Sequence, residues 1–300
     1  MPSFDRNTTD AEVLQTFGAE AKGKTFLITG PSKGGIGAQV AFALASSASP
    51  SLLILAGRSA PKITPVIDAI KASNAAVRVE HVQLDLSSHA SVRSAVAAVK
   101  KLTTKIDVLV NNAGVMAPRT FALSSDGVES QFAVNYLGHF LLTNLLIGEG
   151  VVGAGGVVLN VGSLGYQLGD IAFDDVNFQN GENYNGWKAY GQAKSAQLLG
   201  TRGLANRLKG KNITVLIAHP GVTLESQLLA NSAIDEAYFS EAYALAIARN
   251  NGHSLPPQRT VSLAQAAGVL LNAALNPDFR CKVTYLPTQT SGFYCRERGL

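Results

Sequence analysis

Charge and cysteine are both scarce in this sequence. Only 15% of the 300 residues are charged, and Lys plus Arg exceed Asp plus Glu only by 25 to 21. The basic residues are scattered along the chain, which argues against a nucleic-acid-binding surface. Two cysteines, Cys281 and Cys295, are too few for a disulfide framework and fit a reducing compartment. We therefore expect a cytoplasmic protein that does not bind nucleic acid.

Long apolar runs are missing as well. Glycines and polar residues interrupt the apolar stretches, so no membrane span is predicted. Residues 1–20 carry acidic and polar side chains without an apolar core, so no signal peptide is predicted. Hydrophobic residues nevertheless make up 46% of the chain, which is enough for a large buried core.

Short apolar segments alternate with helical ones. The apolar segments, which we interpret as strands, are residues 24–29, 51–57, 77–86, 106–114, 156–163 and 213–221. Strands that alternate with helices pair in parallel, and strands that are apolar throughout are buried on both faces. The sequence predicts an α/β fold with a single doubly wound, Rossmann-type parallel sheet and helices on both faces. No change in composition marks a linker, so we expect one domain over residues 1–300, with a two-domain division as the alternative.

A glycine-rich loop separates the first strand from the first helix. In "TFLITGPSKGGIGAQVAFALA", Gly30, Gly35 and Gly37 fall in the turn. Glycines let the backbone approach a pyrophosphate, and the next helix offers unpaired N–H groups at its N-terminus. The position of this loop predicts a dinucleotide-phosphate site, with a merely tight turn as the alternative.

Further motifs follow the loop in order. They are "LDL" at 84–86, "NNAG" at 111–114, Asn135 in "VNYLGHFLLT", Ser163 in "NVGSLG", "YGQAK" at 190–194 and "HPG" at 219–221. Together they resemble the short-chain dehydrogenase/reductase family over about residues 23–223. The stretches "NNAGVMAP", "GHFLLTNLL" and "RTVSLAQAAGVLLNAALNPDF" resemble the branch that contains retinol dehydrogenases and the WW-domain oxidoreductase. The resemblance implies a nicotinamide-dependent oxidoreductase.

A tyrosine and a lysine stand at the centre of the predicted site. Tyr190 and Lys194 are four positions apart, so a helix places them on one face. The ordinary pKa of a phenol is about 10, and we expect the neighbouring ammonium to lower it toward the pH at which a general acid or base works best. The resemblance also implies that Lys194 holds the nicotinamide ribose, that Ser163 stabilises charge on the substrate oxygen, and that Asn135 supports a water chain from Lys194 to solvent. The predicted catalytic residues are Ser163, Tyr190, Lys194 and Asn135.

The predicted cofactor contacts come from the successive motifs. They are Gly30, Ser32, Lys33, Gly35, Ile36, Gly37, Arg58, Ser59, Asp85, Leu86, Asn112, Ala113, Gly114, Tyr190, Lys194, Pro220, Gly221 and Thr223. We expect NADP(H) in preference to NAD(H), because Arg58 follows the second strand and no acid occurs between Leu52 and Pro65. Arg58 can bind the 2′-phosphate through its guanidinium, and Ser59 and Lys33 can add to that site.

The chain departs from the family pattern in the glycine loop and after the last motif. Four residues, 31–34, precede Gly35 where the family has three, so we expect a slightly shifted phosphate register. Tyr136 stands where the branch often has His. Thr223 comes early after "HPG" and is followed by Glu225 and Ser226. Which of these three contacts the nicotinamide stays open.

Other chemistries are less well supported by the sequence. "VGSLG" around Ser163 lacks the first glycine of a hydrolase nucleophile elbow. The acidic residues at 170, 174, 175 and 182 have no accompanying His or Cys, so no metal site is predicted. His139 and His219 are interpreted as packed or capping residues.

The predicted function is the NADP(H)-dependent interconversion of a ketone or aldehyde and an alcohol. Residues 224–258 are rich in Leu, Ala and Tyr, so we expect them to cap an apolar substrate pocket. Two alternatives stay open: a catalytically silent nucleotide-binding scaffold or sensor, and a non-redox isomerase or cyclase that uses the same pocket. The partner expected is a small carbonyl or alcohol compound, and a homo-oligomer is left open.

Overall fold

Seven parallel strands form one sheet in the computed structural model, which describes residues 4–5, 7–230, 232, 234–253, 260–280 and 284–286. The strand order is β3-β2-β1-β4-β5-β6-β7. The strands are β1 Thr25–Thr29, β2 Leu52–Gly57, β3 Arg78–Gln83, β4 Val108–Asn111, β5 Val157–Val161, β6 Thr214–Ala218 and β7 Thr284–Leu286. The predicted doubly wound α/β fold is confirmed, and β1 to β6 lie within the six predicted segments. The prediction missed β7, which pairs in parallel with β6.

The central strands are apolar because helices cover both faces of the sheet. Every residue of β1, β2, β5 and β6 is buried. At the edge, β3 has a mixed pattern, with Arg78 and Gln83 exposed. Strands inside a parallel sheet read as continuous apolar runs, whereas an edge strand needs less burial. The sequence pattern therefore followed the position of each strand in the sheet.

Ten α-helical segments flank the sheet in the part of the chain that the structure describes. They are α1 Asp10–Phe17, α2 Ile36–Ser47, α3 Ala60–Ser73, α4 His89–Leu102, α5 Ser130–Phe132, α6 Gly138–Gly148, α7 Gly186–Arg207, α8 Gln227–Ala230, α9 Glu236–Arg249 and α10 Leu263–Leu275. None of these helices is long and apolar enough to cross a membrane. Helix α1 was not predicted, although Thr9 and Glu12 form a capping box at its start.

Residues 131–147, "QFAVNYLGHFLLTNLLI", predict one long apolar helix, but this helix is interrupted. A π-helical turn, Ala133–Leu137, separates α5 from α6. Apolar spacing is nearly the same through such a turn, so the pattern could not reveal it. The turn contains Asn135, and π-helical turns often occur at functional sites.

Helices α8 and α9 occupy most of the predicted capping segment. Of residues 224–258, positions 231, 233 and 254–258 lie outside the described residues, as do Cys281 and Cys295. Arg119 bonds to Asp235 at 2.8 Å before α9, and its guanidinium lies 4.1 Å from the centre of the Tyr238 ring. At the other end, Arg249 donates to the Gln167 carbonyl and to Asp170. Helix α9 is thus fastened to the rest of the molecule at both ends.

Candidate active site

Ser163 and Tyr190 meet just beyond the end of β5. Ser163 opens a 3₁₀ turn, Leu164–Leu168, and its Oγ accepts the N–H of Gly165 at 3.0 Å. The Ser163 side chain also hydrogen-bonds to Tyr190, which is 5% exposed on α7. Gly165 makes this contact geometrically feasible, because a Cβ there would lie 2.7 Å from Cδ1 of Tyr190. The two side chains form one hydrogen-bonded pair at the carboxyl ends of the strands.

Lys194 lies one helical turn beyond Tyr190, as predicted from their spacing. Its Nζ donates to the Val161 carbonyl at 2.9 Å and to Oε1 of Gln197 at 3.0 Å. The same Nζ lies 5.8 Å from the centre of the Tyr190 ring. Burial lowers the pKa of Lys194 to about 8. Within the described residues, no carboxylate lies in ion-pair range of this ammonium.

The expectation that Lys194 lowers the pKa of Tyr190 is not met. Burial raises the pKa of the Tyr190 phenol, and the hydrogen bond from Ser163 lowers it by less. The reason is that spacing along a helix specifies neighbours but not solvation. The phenol is removed from water, while the ammonium is engaged with Val161 and Gln197. Tyr190 therefore rests in its neutral form.

Asn135 is joined to the loop that follows β4. Its Oδ1 accepts the N–H of Val115 and its Nδ2 donates to the Val115 carbonyl, each at 2.9 Å. Gly114 packs against it, with a hypothetical Cβ only 3.2 Å from Oδ1. Asn135 and Gln197 line the same cavity of about 30 Å³ between α6 and α7. Such a volume is large enough for water. Asn135 thus lines the same cavity as Gln197, the residue that accepts a hydrogen bond from Lys194.

Thr29 and His139 brace the same loop and were not predicted as site residues. Thr29 Oγ1 accepts the N–H groups of Asn112 and Ala113 at 2.9 and 3.0 Å, and lies 2.9 Å from Nε2 of His139. Two accepted bonds use both lone pairs, so the Thr29 hydroxyl donates to Nε2. Nδ1 of His139 then faces the Asn135 carbonyl at 3.4 Å. Burial lowers the pKa of His139 to about 3, so the imidazole is neutral. His139 is packed, as expected, and it also bridges Thr29 and the Asn135 carbonyl, which was not expected.

The glycine loop fits the approach of a phosphate group. Gly30 has a φ of +65°, and a Cβ there would lie 2.8 Å from Cα of Ala113. A Cβ on Gly37 would lie 2.5 Å from Nδ2 of Asn112. Gly35 precedes Ile36, the first residue of α2, and no side chain caps this helix end. The unpaired N–H groups of α2 therefore remain available to an anion.

The additional residue of the loop is accommodated at Gly34. This glycine has a φ of +77°, which favours glycine over other residues. Its carbonyl accepts the backbone N–H of Gln227 at 3.3 Å, at the start of α8. Helix α2 still begins at Ile36. The longer loop thus contacts the segment that follows β6.

Basic residues lie close to the carboxyl end of β2. Arg58 and Lys33 are exposed, and Ser59 precedes α3 without making a capping hydrogen bond. The backbone N–H of Lys33 donates to the carbonyl of Lys62 at 3.0 Å, which brings a further lysine to this region. Lys62 was missed because it lies inside a helix, where a lone lysine usually indicates a solvated face.

A buried polar atom without a partner lies just past the end of β6. Oγ1 of Thr223 is buried and has no hydrogen-bond partner among the described residues, and the buried His219 ring, four residues earlier, lies near the Gly162 backbone. Gly221, between them, has a φ of +95°. Burial lowers the pKa of His219 to about 4. Buried polar groups are almost always paired, so the unpaired Thr223 hydroxyl is a candidate contact for a polar ligand. Pro220 lies in the same turn.

The other predicted cofactor residues lie after β3 and, in the case of Ser32, in the glycine loop. Oδ1 of Asp85 accepts the N–H and the hydroxyl of Ser87 at 2.9 and 2.6 Å. Leu86 is buried, and Gly138 at the start of α6 packs directly on its carbonyl. Ser32 accepts the Gly35 N–H through its carbonyl at 2.9 Å. Among the acidic residues at 170–182, Asp170 binds Arg249, and no group of three potential metal ligands occurs in the described ranges.

Fold and site together define a class of protein. A parallel sheet of this order, with a glycine loop after its first strand, binds dinucleotides beyond the carboxyl ends of its strands. The profile of the short chain dehydrogenase family matches residues 24–237. The chain therefore belongs to the short-chain dehydrogenase/reductase family, whose members are oxidoreductases that bind a nicotinamide cofactor.

Several named relatives agree with this assignment. Human retinol dehydrogenase 13 is 39% identical over 222 residues, which cover 74% of this chain and 65% of that protein. The chain thus spans just under two thirds of that relative. Oxidoreductase fscI of Fusarium equiseti is 33% identical over 244 residues, covering 73% of this chain and 94% of fscI. The predicted resemblance to retinol dehydrogenases is confirmed.

Solved structures share the fold at low sequence identity. The RhlG/NADP active-site complex of Pseudomonas aeruginosa has a TM-score of 0.65 at 23% identity, covering 90% of this chain and 96% of that one. A short chain dehydrogenase of Burkholderia cenocepacia in complex with NADP also has a TM-score of 0.65 at 23% identity, covering 90% and 98%.

Proposed function

We propose that this protein is an NADP(H)-dependent oxidoreductase that interconverts a ketone or aldehyde and an alcohol on an apolar small molecule. The observation that carries the proposal is the pairing of half-buried Ser163 with buried Tyr190, with the Lys194 ammonium one turn away. NADP(H), when bound, supplies or accepts the hydride. The residues of this chain bind and orient the reactants and move the proton.

Tyr190 is the proposed general acid and base. Because its pKa is raised, the resting phenol carries a proton that it can donate to a carbonyl oxygen during reduction. The Ser163 hydroxyl donates a hydrogen bond to the same oxygen as negative charge develops there. Lys194 stabilises the phenolate that remains, and its third N–H is available to the cofactor ribose.

The residues present fit a nicotinamide dinucleotide. Gly30 and Gly37 let the glycine loop pack closely on Ala113 and Asn112, and the uncapped start of α2 leaves backbone N–H groups for a pyrophosphate. The unpartnered Oγ1 of Thr223 would offer a polar contact at the nicotinamide end. Arg58, with Lys33, would hold the 2′-phosphate of NADP(H) by charge-assisted hydrogen bonds.

The surroundings of Tyr190 support an apolar substrate. Tyr190 belongs to a buried cluster with Leu168, Trp187 and Tyr238, and Met116 and other partly buried apolar residues pack against it. Tyr238 comes from α9, so the capping segment contributes to this cluster. These apolar surroundings of the Tyr190 phenol favour a substrate with a hydrocarbon body.

Turnover of the purified protein tests the proposal. NADPH and NADH consumption is followed with a panel of apolar ketones and aldehydes, for wild type and for Tyr190→Phe. Activity is expected with NADPH and is expected to fall to a few per cent or less in Tyr190→Phe, with NADPH affinity retained. Tyr136→Phe is the matched control, because Tyr136 packs on Gly200 away from the Ser163 hydroxyl.

Two other outcomes would replace the proposal. NADPH binding without oxidation by any carbonyl would favour the silent scaffold or sensor. A product detected by mass spectrometry without a change in nicotinamide absorbance would favour isomerisation or cyclisation.

A further inference from the structure

Lys194 is a buried cation that is held by neutral groups. It is 7% exposed, and its two hydrogen bonds go to the Val161 carbonyl and to Oε1 of Gln197. A buried charge is stable only if its surroundings compensate for lost hydration. Of these two acceptors, the Val161 carbonyl belongs to the backbone. Gln197 is therefore the side chain that can be changed.

The position of Gln197 is fixed by its own surroundings. It is 4% exposed and lies three residues after Lys194 on α7. Because an ammonium only donates, the amide oxygen of Gln197 must face Lys194. Its backbone carbonyl accepts the Thr201 hydroxyl at 2.6 Å, and Thr201 also accepts from Nδ2 of Asn160 at 2.8 Å. Gln197, Thr201 and Asn160 line the cavity of about 30 Å³ between α6 and α7.

The titratable groups around Lys194 carry no charge near pH 7. His139 faces it from α6 and His219 from the end of β6, and burial lowers their pKa values to about 3 and about 4. Tyr190, on the same helix, has a raised pKa. All three groups are thus neutral near pH 7. Burial weakens the hold of Lys194 on its proton, and its two hydrogen-bond acceptors are the groups that oppose this effect.

We propose that Gln197 is a positioning residue that keeps Lys194 charged beside Tyr190 and so determines the alkaline limit of activity. The inference rests on the proposed function, in which the Lys194 ammonium supports the Tyr190 proton transfer. It adds a residue that no motif of the chain singled out. Gln197 acts through Lys194 and touches neither substrate nor the reacting atoms.

Gln197→Leu is the test, read first by NMR without any substrate. Lysine side chains are labelled with ¹³C at Cε, and the Lys194 resonance is assigned by its loss in Lys194→Arg. Removal of one hydrogen bond to a charged group should reduce the proton affinity of Lys194 about ten- to a hundredfold. The alkaline limb of the kcat profile should move to lower pH to the same extent. Gln197→Glu, with a carboxylate in place of the amide, should move both to higher pH.

Gln192→Leu provides a matched control on the same helix. Gln192 is 1% exposed and bonds to the Ala172 N–H and the Val176 carbonyl, on a different side of α7. Its loss should reduce stability without moving the Lys194 titration. The inference is overturned if folded Gln197→Leu titrates like wild type, or if Gln192→Leu moves the titration equally. If Gln197→Leu does not fold, an unmoved titration in Gln197→Glu overturns it. Absence of carbonyl turnover would refute only the proposed function, since the NMR titration needs no substrate.

Discussion

Gly165→Ala would separate the two members of the proposed catalytic unit without changing either of them. The added Cβ would lie 2.7 Å from Cδ1 of Tyr190, closer still to Cε1, and 3.2 Å from Oγ of Ser163. Gly165 lies in a 3₁₀ turn with a negative φ, so the backbone itself accepts alanine. The ring of Tyr190 is held on a helix, so either the turn or the ring must shift.

The size of the effect follows from these contacts. Overpacking a buried site costs about 1–3 kcal/mol of stability. Displacing a donor that stabilises developing charge lowers kcat about 10²- to 10³-fold. NADPH affinity should change little, because the glycine loop and the end of β6 do not contact Gly165. We therefore expect a folded variant that binds NADPH but turns over slowly.

Steady-state kinetics, NADPH titration and thermal unfolding measure these three quantities. Gly203→Ala is the control, since a Cβ there would meet no atom within 4 Å. As an open position on α7, Gly203→Ala should gain about 0.5–1 kcal/mol of stability with unchanged kcat. If Gly165→Ala retains kcat within a few fold of wild type, contact between Ser163 and Tyr190 is not required for turnover.

Four further predictions test separate parts of the site. Arg58→Ala should weaken NADPH binding about ten- to a hundredfold and leave NADH binding unchanged, as measured by two fluorescence titrations; equal losses would contradict the 2′-phosphate assignment. Lys194→Ala should reduce both kcat and NADPH affinity, and normal affinity would remove its cofactor role. Exchanging residues 236–249 for a related helix should change which carbonyl compounds are reduced at constant NADPH affinity; loss of folding would place α9 in the core instead. Between about pH 8 and 10, kcat should fall while the free energy of unfolding rises, and a parallel loss of both would contradict the assignment to Lys194.

The sheet could be predicted from the sequence because burial on both faces leaves a continuous apolar run. β7 escaped because only three residues form it, and a run so short carries no period. Helix α1 had a readable signal, since Thr9 and Glu12 have the spacing of a capping box. The π-helical turn at Asn135 had none, because apolar spacing hardly changes across it.

At the site, motif spacing predicted proximity better than chemistry. The motifs correctly brought together Ser163, Tyr190 and Lys194. The pKa of Tyr190, however, depends on its burial, which the spacing of Tyr190 and Lys194 does not reveal. Gln197 and Thr29 were overlooked for a related reason. Each is a neutral polar residue in an apolar segment, and its importance comes from partners distant in the sequence or on another turn.

The opposed pH responses predicted for activity and stability have a single physical origin in the lowered pKa of Lys194. Burial lowers its pKa to about 8 from 10.5, so the folded protein binds this proton more weakly than the unfolded chain does. The unfolded state therefore holds more protons between those two values, and the free energy of unfolding rises with pH there, by at most about 3 kcal/mol. Under the proposed mechanism, the ammonium that supports Tyr190 is lost over the same range. Above about pH 10, raised tyrosine pKa values act in the opposite direction, because unfolded tyrosines ionise first. The site thus holds a charge that the fold would be more stable without, as expected where a buried group serves function.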